Sequence, residues 1–222
     1  MASQIETMFG RITPTYDRVN AVLSLGLDRI WRHEVIKRIP FKHGKILDTC
    51  TGTGDLAIAL AKKGYQVTGI DFCAPMLARA EKKAPKGVFL EFIEADASCL
   101  PFQDRSFLAV TGAFSLRNLP DLKKAFKEAF RVLSPGGSAF FLDLTLPETW
   151  LGPLHRFYLS AVLPSVGGLI SGDKQAYHYL ASSIFQFQSN KIGQLLLDCG
   201  FIQSKTIPLS AGICTLWTAL KS

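Results

Sequence analysis

A glycine-rich turn surrounded by carboxylates is the feature of this chain best suited to chemistry. Gly52 and Gly54 lie between an apolar run that predicts a strand and an alanine- and leucine-rich run that predicts a helix. Glycine lacks a Cβ atom, so the backbone can bend sharply there and a ligand can approach it closely. Four aspartates lie in this turn or at the ends of the predicted strands around it: Asp48, Asp55, Asp71 and Asp96. This arrangement is typical of the ligand-binding edge of a nucleotide-type α/β fold.

The carboxylates indicate which ligand the turn would accept. Together with Ala57, the two glycines also satisfy the G-x-G-x-x-A form of the dinucleotide fingerprint. A pyrophosphate would sit at the positive end of the following helix, where Asp48 and Asp55 disfavour it. S-adenosylmethionine carries a sulfonium and an ammonium group and no phosphate, and Asp71 is placed to accept hydrogen bonds from ribose hydroxyls. We therefore predict S-adenosylmethionine as the cofactor and keep an NAD-linked oxidoreductase as the alternative.

Length and composition limit the classes of protein that the chain can belong to. Its 222 residues are 48% hydrophobic and 19% charged, which suits a substantial core in one generous α/β domain or in one domain with an insertion. The N-terminus lacks the basic-then-apolar pattern of a signal peptide. No apolar run reaches the roughly 18 residues that a membrane-spanning helix requires. We expect a cytoplasmic protein.

The cysteines, histidines and charged residues argue against a metal site and a nucleic-acid partner. The five cysteines are scattered without a C-x-x-C pair, and the four histidines lack metal-ligand spacing, so no metal site is predicted. The net charge of +7 arises partly from basic stretches at residues 29–42 and 123–131. These stretches are either solvated helix faces or surfaces attracted to an anionic membrane. Nucleic acid is not an expected partner, because no aromatic-basic RNA motif or helix-turn-helix pattern is present.

Alternating strand and helix patterns from residue 45 onward predict the scaffold. The predicted strands are Lys45–Thr49, Gln66–Asp71, Val88–Glu94, Phe107–Ala113 and Ser138–Leu144, and the predicted helices are Gly54–Lys63, Ala74–Lys83 and Leu122–Leu133, the last with Asp121 as its N-cap. A sharp turn is expected at residues 134–137. Strands separated by helices predict a parallel, doubly wound sheet. Right-handed crossovers would then place Asp48, Asp71, Asp96 and Ala113 along one edge.

The remaining segments predict structure around this core. Residues 1–44 read as helices that either pack on the body through Tyr16 and Trp31 or form a lid over the cofactor. Residues 45–146 form the predicted cofactor-binding core. The aromatic-rich residues 147–190 predict a helical insertion that either packs on the strand ends or forms an apolar substrate pocket. Residues 191–222 predict a helix ended by Gly200 and a closing pair of strands, Phe201–Leu209 and Ile213–Leu220, with an antiparallel edge.

Several longer motifs resemble those of a known family. The glycine turn and Pro135-Gly136-Gly137 are generic to class I S-adenosylmethionine-dependent methyltransferases, whose fold is Rossmann-like with a mostly parallel seven-stranded sheet. More specific motifs begin at Tyr16 (Tyr-Asp-Arg-Val-Asn), Leu116 (Leu-Arg-Asn) and Tyr177 (Tyr-His-Tyr-Leu). These resemble the quinone-biosynthesis C-methyltransferases, and the resemblance spans essentially the whole chain.

The resemblance implies an activity and a substrate class. We expect C-methylation of the ring of a polyprenyl hydroquinone, with demethylmenaquinol as the first choice and a ubiquinone precursor as the alternative. An O- or N-methyltransferase of small molecules on the same fold, and a binding module without catalysis, stay open as further alternatives. An isoprenoid tail lies in the bilayer, so peripheral contact with the membrane surface is expected. Both a homodimer and a monomer are compatible with the sequence.

The resemblance also implies roles for individual residues. The expected cofactor contacts are Asp48, Gly52, Thr53, Gly54, Asp71, Phe72, Asp96, Ala97 and Ala113. Arg117 is expected to stabilise a developing phenolate or to orient a water that takes the proton, with Asn118 and Tyr16 as hydrogen-bonding neighbours. The alternative for Arg117 is a structural salt bridge. The chain departs from the family pattern at a few positions, among them Ala113 in place of a serine and Asp143 in place of a glutamate.

Overall fold

A seven-stranded sheet forms the centre of the computed structural model, which describes residues 2–222. Its strands are β1 Lys45–Thr49, β2 Gln66–Asp71, β3 Leu90–Glu94, β4 Phe107–Ala113, β5 Leu133–Leu144, β6 Gln203–Leu209 and β7 Cys214–Leu220. They are arranged in the order β3-β2-β1-β4-β5-β7-β6. The first five strands pair in parallel, and β7 runs antiparallel to both β5 and β6. The predicted doubly wound sheet with an antiparallel edge is confirmed.

Ten α-helices surround this sheet within residues 2–222. They are α1 Ala2–Ile12, α2 Tyr16–Leu23, α3 Leu27–Arg38, α4 Asp55–Ala61, α5 Ala74–Lys83, α6 Leu122–Val132, α7 Gly152–Phe157, α8 Leu163–Ser171, α9 Lys174–Gln186 and α10 Ile192–Asp198. A π-helical turn at Tyr158–Val162 joins α7 to α8, and a short 3-10 turn at Leu116–Asn118 follows β4. The helical insertion after β5 is therefore present, as predicted.

Hydrophobic burial on both faces explains why the central strands form. Leu47 and Val110 are fully buried with Phe126 of α6 on one face of the sheet. On the opposite face Leu56 of α4 packs in a second core together with Trp31 of α3. Strands covered on both faces are continuous apolar runs in sequence, which is why the bounds of β1, β2 and β4 match the prediction.

The start of β5 corrects one prediction. We expected a sharp turn at residues 134–137, but the strand already begins at Leu133 and the pairing with β4 shifts register between Phe107 and Ala109. Gly136, with φ of 76°, lies in this bulge, and its amide donates to the carbonyl of Lys221 at 3.0 Å. The glycine therefore makes a β-bulge that continues the sheet instead of a turn that interrupts it.

A third hydrophobic core joins the N-terminal helices to the helical insertion that follows β5. Ile12 and Val19 from the N-terminal helices are buried against Leu159, Leu163 and Tyr177 from the insertion. The partly buried Leu144, at the end of β5, packs on the same cluster. The N-terminal helices and the insertion therefore form one helical layer at the carboxyl end of β5.

Candidate active site

The first of two adjacent pockets lies at the carboxyl ends of β1, β2 and β4. Its wall contains four of the predicted cofactor contacts: Gly52, Asp71, Phe72 and Ala113. Cys50, Cys73, Met76, Ser115 and Leu119 complete it together with four side chains described below. Asp71 is the single acidic side chain in this set, and no lysine or arginine belongs to it. We refer to this space as the cofactor pocket.

Hydrogen bonds that Asp71 accepts from backbone amides hold the glycine turn in place. One carboxylate oxygen accepts from the Gly52 amide at 2.8 Å and the other accepts from the Cys73 amide at 2.9 Å. Burial raises the pKa of Asp71, while these backbone hydrogen bonds oppose the rise. Gly52 has φ of 56°, and a Cβ placed there would meet no atom within 4 Å. The turn thus presents open backbone to the pocket, as a close-approaching ligand requires.

Three other predicted contacts lie around the turn instead of in the pocket wall. Asp48 is buried and accepts from the hydroxyls of Thr51 and Thr111, both at 2.6 Å. Burial raises its pKa to about 6. Thr53 is also buried, and its hydroxyl donates to Asp17 at 2.5 Å. Gly54 has φ of 80°, and a Cβ there would lie 2.9 Å from atoms of α5 and β3. In this structure all three residues shape the turn.

The predicted adenine contacts follow β3. The Asp96 side chain is exposed, and one of its oxygens accepts from the Ser98 amide at 2.7 Å. Ala97 is 6% exposed and belongs to the core below the sheet edge. Neither residue is part of the cofactor-pocket wall as this structure shows it. Their contact with the cofactor stays a prediction.

A second pocket lies between the N-terminal helices, the Leu116–Asn118 turn and the insertion. Its volume is about 110 Å³, several times the roughly 10–15 Å³ that one buried water requires. The wall is mostly apolar, with Met8, Phe9, Ile12, Leu23, Leu144, Leu159, Leu163 and Leu180 among its members. The three predicted catalytic residues, Tyr16, Arg117 and Asn118, also line it. An apolar wall with a few convergent polar groups is typical of a small-molecule site.

Arg117 is the buried cation of this second pocket. Its guanidinium forms an ion pair with Asp143, whose side chain is completely buried. Asp143 also accepts from the amides of Arg117 at 3.2 Å and Leu144 at 2.7 Å. Burial lowers the pKa of Arg117 to about 10, so the side chain is still protonated at neutral pH. The salt bridge that we kept as the alternative for Arg117 is present, and Arg117 Nε is buried without a hydrogen-bond partner.

The two predicted neighbours of Arg117 are neutral hydrogen-bonding groups. Asn118 accepts from the hydroxyl of Tyr179 at 3.2 Å and donates to the carbonyl of Phe114 at 3.5 Å. Burial raises the pKa of Tyr16, with Arg117 and Arg32 acting in the opposite direction. Tyr16 therefore stays protonated at neutral pH and can donate a hydrogen bond.

The two pockets share part of their walls. Phe9, Tyr16, Phe114 and Asn118 border both spaces. Four of the predicted cofactor contacts, Gly52, Asp71, Phe72 and Ala113, therefore lie on one side of this partition, and Arg117 lies on the other. Such a geometry suits the transfer of a group between two bound molecules.

Sequence reasoning missed several polar residues of the second pocket. Asp28 and Arg32 of α3 form an ion pair at 2.6 Å in its wall, and His155 of α7 lies there as well. Tyr177 and Tyr179 also line it; they belong to the aromatic-rich segment 147–190, for which an apolar substrate pocket is one of the two expectations. His155, one of two histidines in the segment 147–190, carried no local signal.

Comparison with known proteins agrees with this geometry. Residues 1–221 match the model of the ubiE/COQ5 methyltransferase family. The chain belongs to this family. Demethylmenaquinone methyltransferase from Chlorobaculum tepidum is 40% identical, with 99% of this chain and 93% of that protein aligned. Ubiquinone/menaquinone biosynthesis C-methyltransferase UbiE from Rickettsia prowazekii is 39% identical, with 98% and 92% aligned.

A solved structure shows the same fold. The SAM-dependent methyltransferase from Aquifex aeolicus superposes with a TM-score of 0.66 over 93% of this chain and 98% of that one, at 19% identity. The prediction of an S-adenosylmethionine-dependent methyltransferase, made from the residues and the resemblance, is confirmed by the family match and the fold. The competing NAD-linked oxidoreductase is thereby excluded.

The residues of the cofactor pocket fit S-adenosylmethionine. The wall offers a carboxylate and no basic side chain, and the Gly52 amide that could bind a phosphate is already occupied by Asp71. These features suit a cationic ligand and disfavour a pyrophosphate. Among the described residues, no group of three or more histidine, cysteine, aspartate or glutamate side chains could hold a metal ion.

Proposed function

We propose that this family member methylates a ring carbon of demethylmenaquinol. The observation that carries the proposal is the apolar pocket beside the cofactor pocket, in which the buried Arg117 keeps one unpartnered N–H. An apolar wall suits a bicyclic aromatic ring, and a buried cation suits an oxygen that becomes negative. The name of the Chlorobaculum tepidum relative supports this substrate, whereas the name of the Rickettsia prowazekii relative also supports a ubiquinone precursor.

Ionisation of the quinol would make its ring carbon reactive. A phenolic hydroxyl has a pKa of about 10, as for tyrosine, so it is mostly neutral at physiological pH. Loss of the proton moves electron density onto the neighbouring ring carbons. The Arg117 guanidinium, buried and held by Asp143, would stabilise the phenolate oxygen strongly because the surroundings exclude water. S-adenosylmethionine supplies the methyl group from a sulfonium that is a good leaving group.

The remaining contribution of the protein is to position the reactants. Tyr16 and Asn118 would donate hydrogen bonds to the quinol oxygens at the partition between the pockets. The Asn118 side chain is itself oriented by Tyr179 and by the Phe114 carbonyl. Holding two reactants in line can supply several kcal/mol of the barrier reduction, up to about 7–11 kcal/mol in favourable cases.

Residues 1–44 would act as a lid over both pockets. Asp17 of α2 accepts hydrogen bonds from Thr53, Arg79 and Lys83, and these contacts tie the lid to the glycine turn and to α5. They lower the pKa of Asp17 although burial opposes the change. Because Phe9 and Tyr16 of the same segment border both pockets, opening the lid would admit the cofactor.

The outer surface of the insertion would contact the membrane. None of the helices described in residues 2–222 is long and apolar enough to span a bilayer. Four large apolar side chains of the insertion are nevertheless strongly exposed: Trp150, Leu154, Phe157 and Leu169. The inner side of the same helices lines the second pocket through Tyr158, Leu159 and Leu163. A substrate with an isoprenoid tail could therefore enter directly from the bilayer surface.

Methyl transfer tests the proposed substrate. Purified protein and S-adenosylmethionine would be incubated with chemically reduced demethylmenaquinol, a ubiquinone precursor or a catechol, and the products analysed by mass spectrometry. We expect one additional methyl group on a ring carbon of the naphthoquinol. Methylation of the ubiquinone precursor alone would move the assignment to that pathway. Methylation of catechol oxygen alone, or no transfer to any acceptor, would refute the proposal.

Vesicle flotation tests the membrane contact separately. The protein would be mixed with vesicles that contain phosphatidylglycerol at low salt. We expect co-flotation that is lost in the triple variant Trp150→Ser, Leu154→Ser and Phe157→Ser. Phe89→Ser is the matched control, because Phe89 is 75% exposed but lies outside the insertion. Equal flotation of the triple variant and the wild type would contradict this part of the proposal.

A further inference from the structure

Two buried nitrogen atoms in the wall of the second pocket have no hydrogen-bond partner. They are Nε of Arg117 and Nδ1 of His155, and the hydroxyl of Tyr177 in the same wall is also buried without a partner. His155 is only 9% exposed. Buried polar atoms in folded proteins are nearly always paired, so three unpaired atoms on residues that line one pocket indicate a ligand with polar groups of its own. Arg117 can only donate a hydrogen bond, whereas a neutral imidazole can also accept one.

The other ionisable groups of this pocket are unsuited to accepting a proton. Burial raises the pKa of all four tyrosines in the wall, Tyr16, Tyr158, Tyr177 and Tyr179, so they remain protonated. Arg117 is protonated at neutral pH, and the second arginine of the wall, Arg32, carries a guanidinium that cannot serve as a base.

Asp28 is the one carboxylate among the residues that line this pocket, and it is already engaged. One oxygen accepts from the hydroxyl of Ser24 at 2.8 Å and the other accepts from Arg32 at 2.6 Å. Protonation of Asp28 would break this ion pair. His155 differs because burial alone lowers its pKa below the usual value, so its ring is neutral at pH 7.

We propose that His155 is the general base of the methyl transfer and that its Nδ1 takes the proton of a ring hydroxyl of the quinol. The inference rests on the proposed function. The O–H bond breaks, an N–H bond forms on the imidazole, and the electron pair remains on oxygen, where Arg117 stabilises it. The ring carbon then bonds to the methyl group while the methyl–sulfur bond breaks and its electron pair goes to sulfur. Loss of the C–H proton to water and return of the imidazolium proton to oxygen restore the aromatic ring, so one proton is released overall.

Neighbouring contacts hold the imidazole in position for this step. The ring of His155 lies parallel to that of Tyr158, with centroids 6.4 Å apart and an interplanar angle of 10°. The hydroxyl of Tyr158 donates to the carbonyl of Leu23 at 2.7 Å, which fixes it against α2. Through Tyr158, the imidazole is therefore linked to the N-terminal helices that border the cofactor pocket.

The experiment compares His155→Gln and His155→Phe with the wild type in turnover of reduced demethylmenaquinol between pH 6 and pH 9.5. General bases contribute about 10²–10⁴-fold to rate, so we expect kcat to fall at least about 100-fold at pH 7. The deficit should shrink as the pH approaches the phenolic pKa of about 10, because the substrate then ionises without help. His178→Gln is the matched control: His178 is exposed and lies outside the pocket wall. It should stay within about twofold of the wild type, on the tolerance of surface substitutions.

Binding of S-adenosylhomocysteine, measured by calorimetry, shows whether each variant is folded. A second readout is the ring NMR signal of His155, assigned from its loss in His155→Gln, which should shift when reduced 1,4-naphthoquinol is added. A loss of turnover below about threefold, an equal deficit at every pH, or an unmoved ring signal would overturn the role of His155 while leaving the methyltransferase assignment intact. An inactive wild type would overturn both proposals.

Discussion

The ion pair between Arg117 and Asp143 makes a strong prediction because both partners are buried. The side chain of Arg117 is 6% exposed and that of Asp143 is 0% exposed. Asp143→Asn keeps the shape of the side chain and an acceptor for the Leu144 amide but leaves the guanidinium unpaired in the interior. Removal of one partner from a buried pair costs roughly 3–5 kcal/mol. For a domain of this size, each kcal/mol lowers the melting temperature by about 2–4 °C, so we expect a loss of roughly 6–20 °C.

The double variant Arg117→Met and Asp143→Asn separates stability from catalysis. It removes the unpaired charge, so most of the lost stability should return. Turnover should not return, because the cation that faces the substrate is absent. Asp104→Asn is the matched control for a surface pair: Asp104 bonds to Arg131 but its side chain is 69% exposed. That substitution should cost no more than about 1 kcal/mol.

Thermal and urea unfolding of all four proteins in one buffer would measure these differences, with methyl transfer measured in parallel. Asp143→Asn melting within about 2 °C of the wild type would correspond to less than about 1 kcal/mol and would refute the reasoning. A double variant that is less stable than Asp143→Asn would refute it as well. Recovery of turnover in the double variant would show that Arg117 acts only as a structural partner of Asp143.

Three further predictions concern the glycine turn. The folded-state pKa of Asp48 lies near 6, above its unfolded value. Its ionisation should therefore lower the free energy of unfolding by on the order of 3 kcal/mol as pH rises from about 4 to 6. Urea unfolding at pH 4.5 and 7.5 should show this loss in the wild type and not in Asp48→Asn. Gly54→Ala, with its Cβ 2.9 Å from neighbouring atoms, should cost about 1–3 kcal/mol more in urea unfolding than Gly64→Ala, which shares a positive φ but meets open space. Lys83→Met removes ion pairs to Asp17 and Asp55 and should speed release of S-adenosylhomocysteine in stopped-flow fluorescence; unchanged release would contradict the lid.

The sheet could be predicted from the sequence because its information is local. Buried parallel strands are continuous apolar runs, and the helix after them begins at recognisable caps; Asp121, for example, accepts from the Lys124 amide at 2.9 Å as predicted. The prediction for the start of β5 was wrong because Pro135-Gly136-Gly137 has the composition of a turn. The actual conformation depends on the hydrogen bond from the Gly136 amide to the carbonyl of Lys221, which comes 85 residues later in the sequence (221 − 136). Local composition does not report such a partner.

Pattern reasoning indicated the edge of the sheet at which the pockets lie, but not which side chains line them. Acids at strand ends indicated the sheet edge where the first pocket lies, and Asp71 and Gly52 line it; their contact with the cofactor stays a prediction. Whether Thr53 faces a ligand depends on its contact with Asp17, from a segment 36 residues away. His155 and Asp28 reach the second pocket from helices whose packing has no local signature. Long-range packing, which pattern reasoning does not capture, decides these positions.

The side chains that separate the two pockets explain how closure of the lid would affect methyl transfer. Phe9 and Tyr16 come from the N-terminal helices, whereas Phe114 and Asn118 follow β4. If the N-terminal segment acts as the proposed lid, the partition would be complete only in the closed state. The methyl group must cross this partition, and bulk water must be excluded from it. Closure would therefore assemble the pockets and the path between them in one step. It follows that weakening the Asp17 contacts should lower kcat even when both substrates are saturating, since an open lid leaves the reactants bound but misaligned.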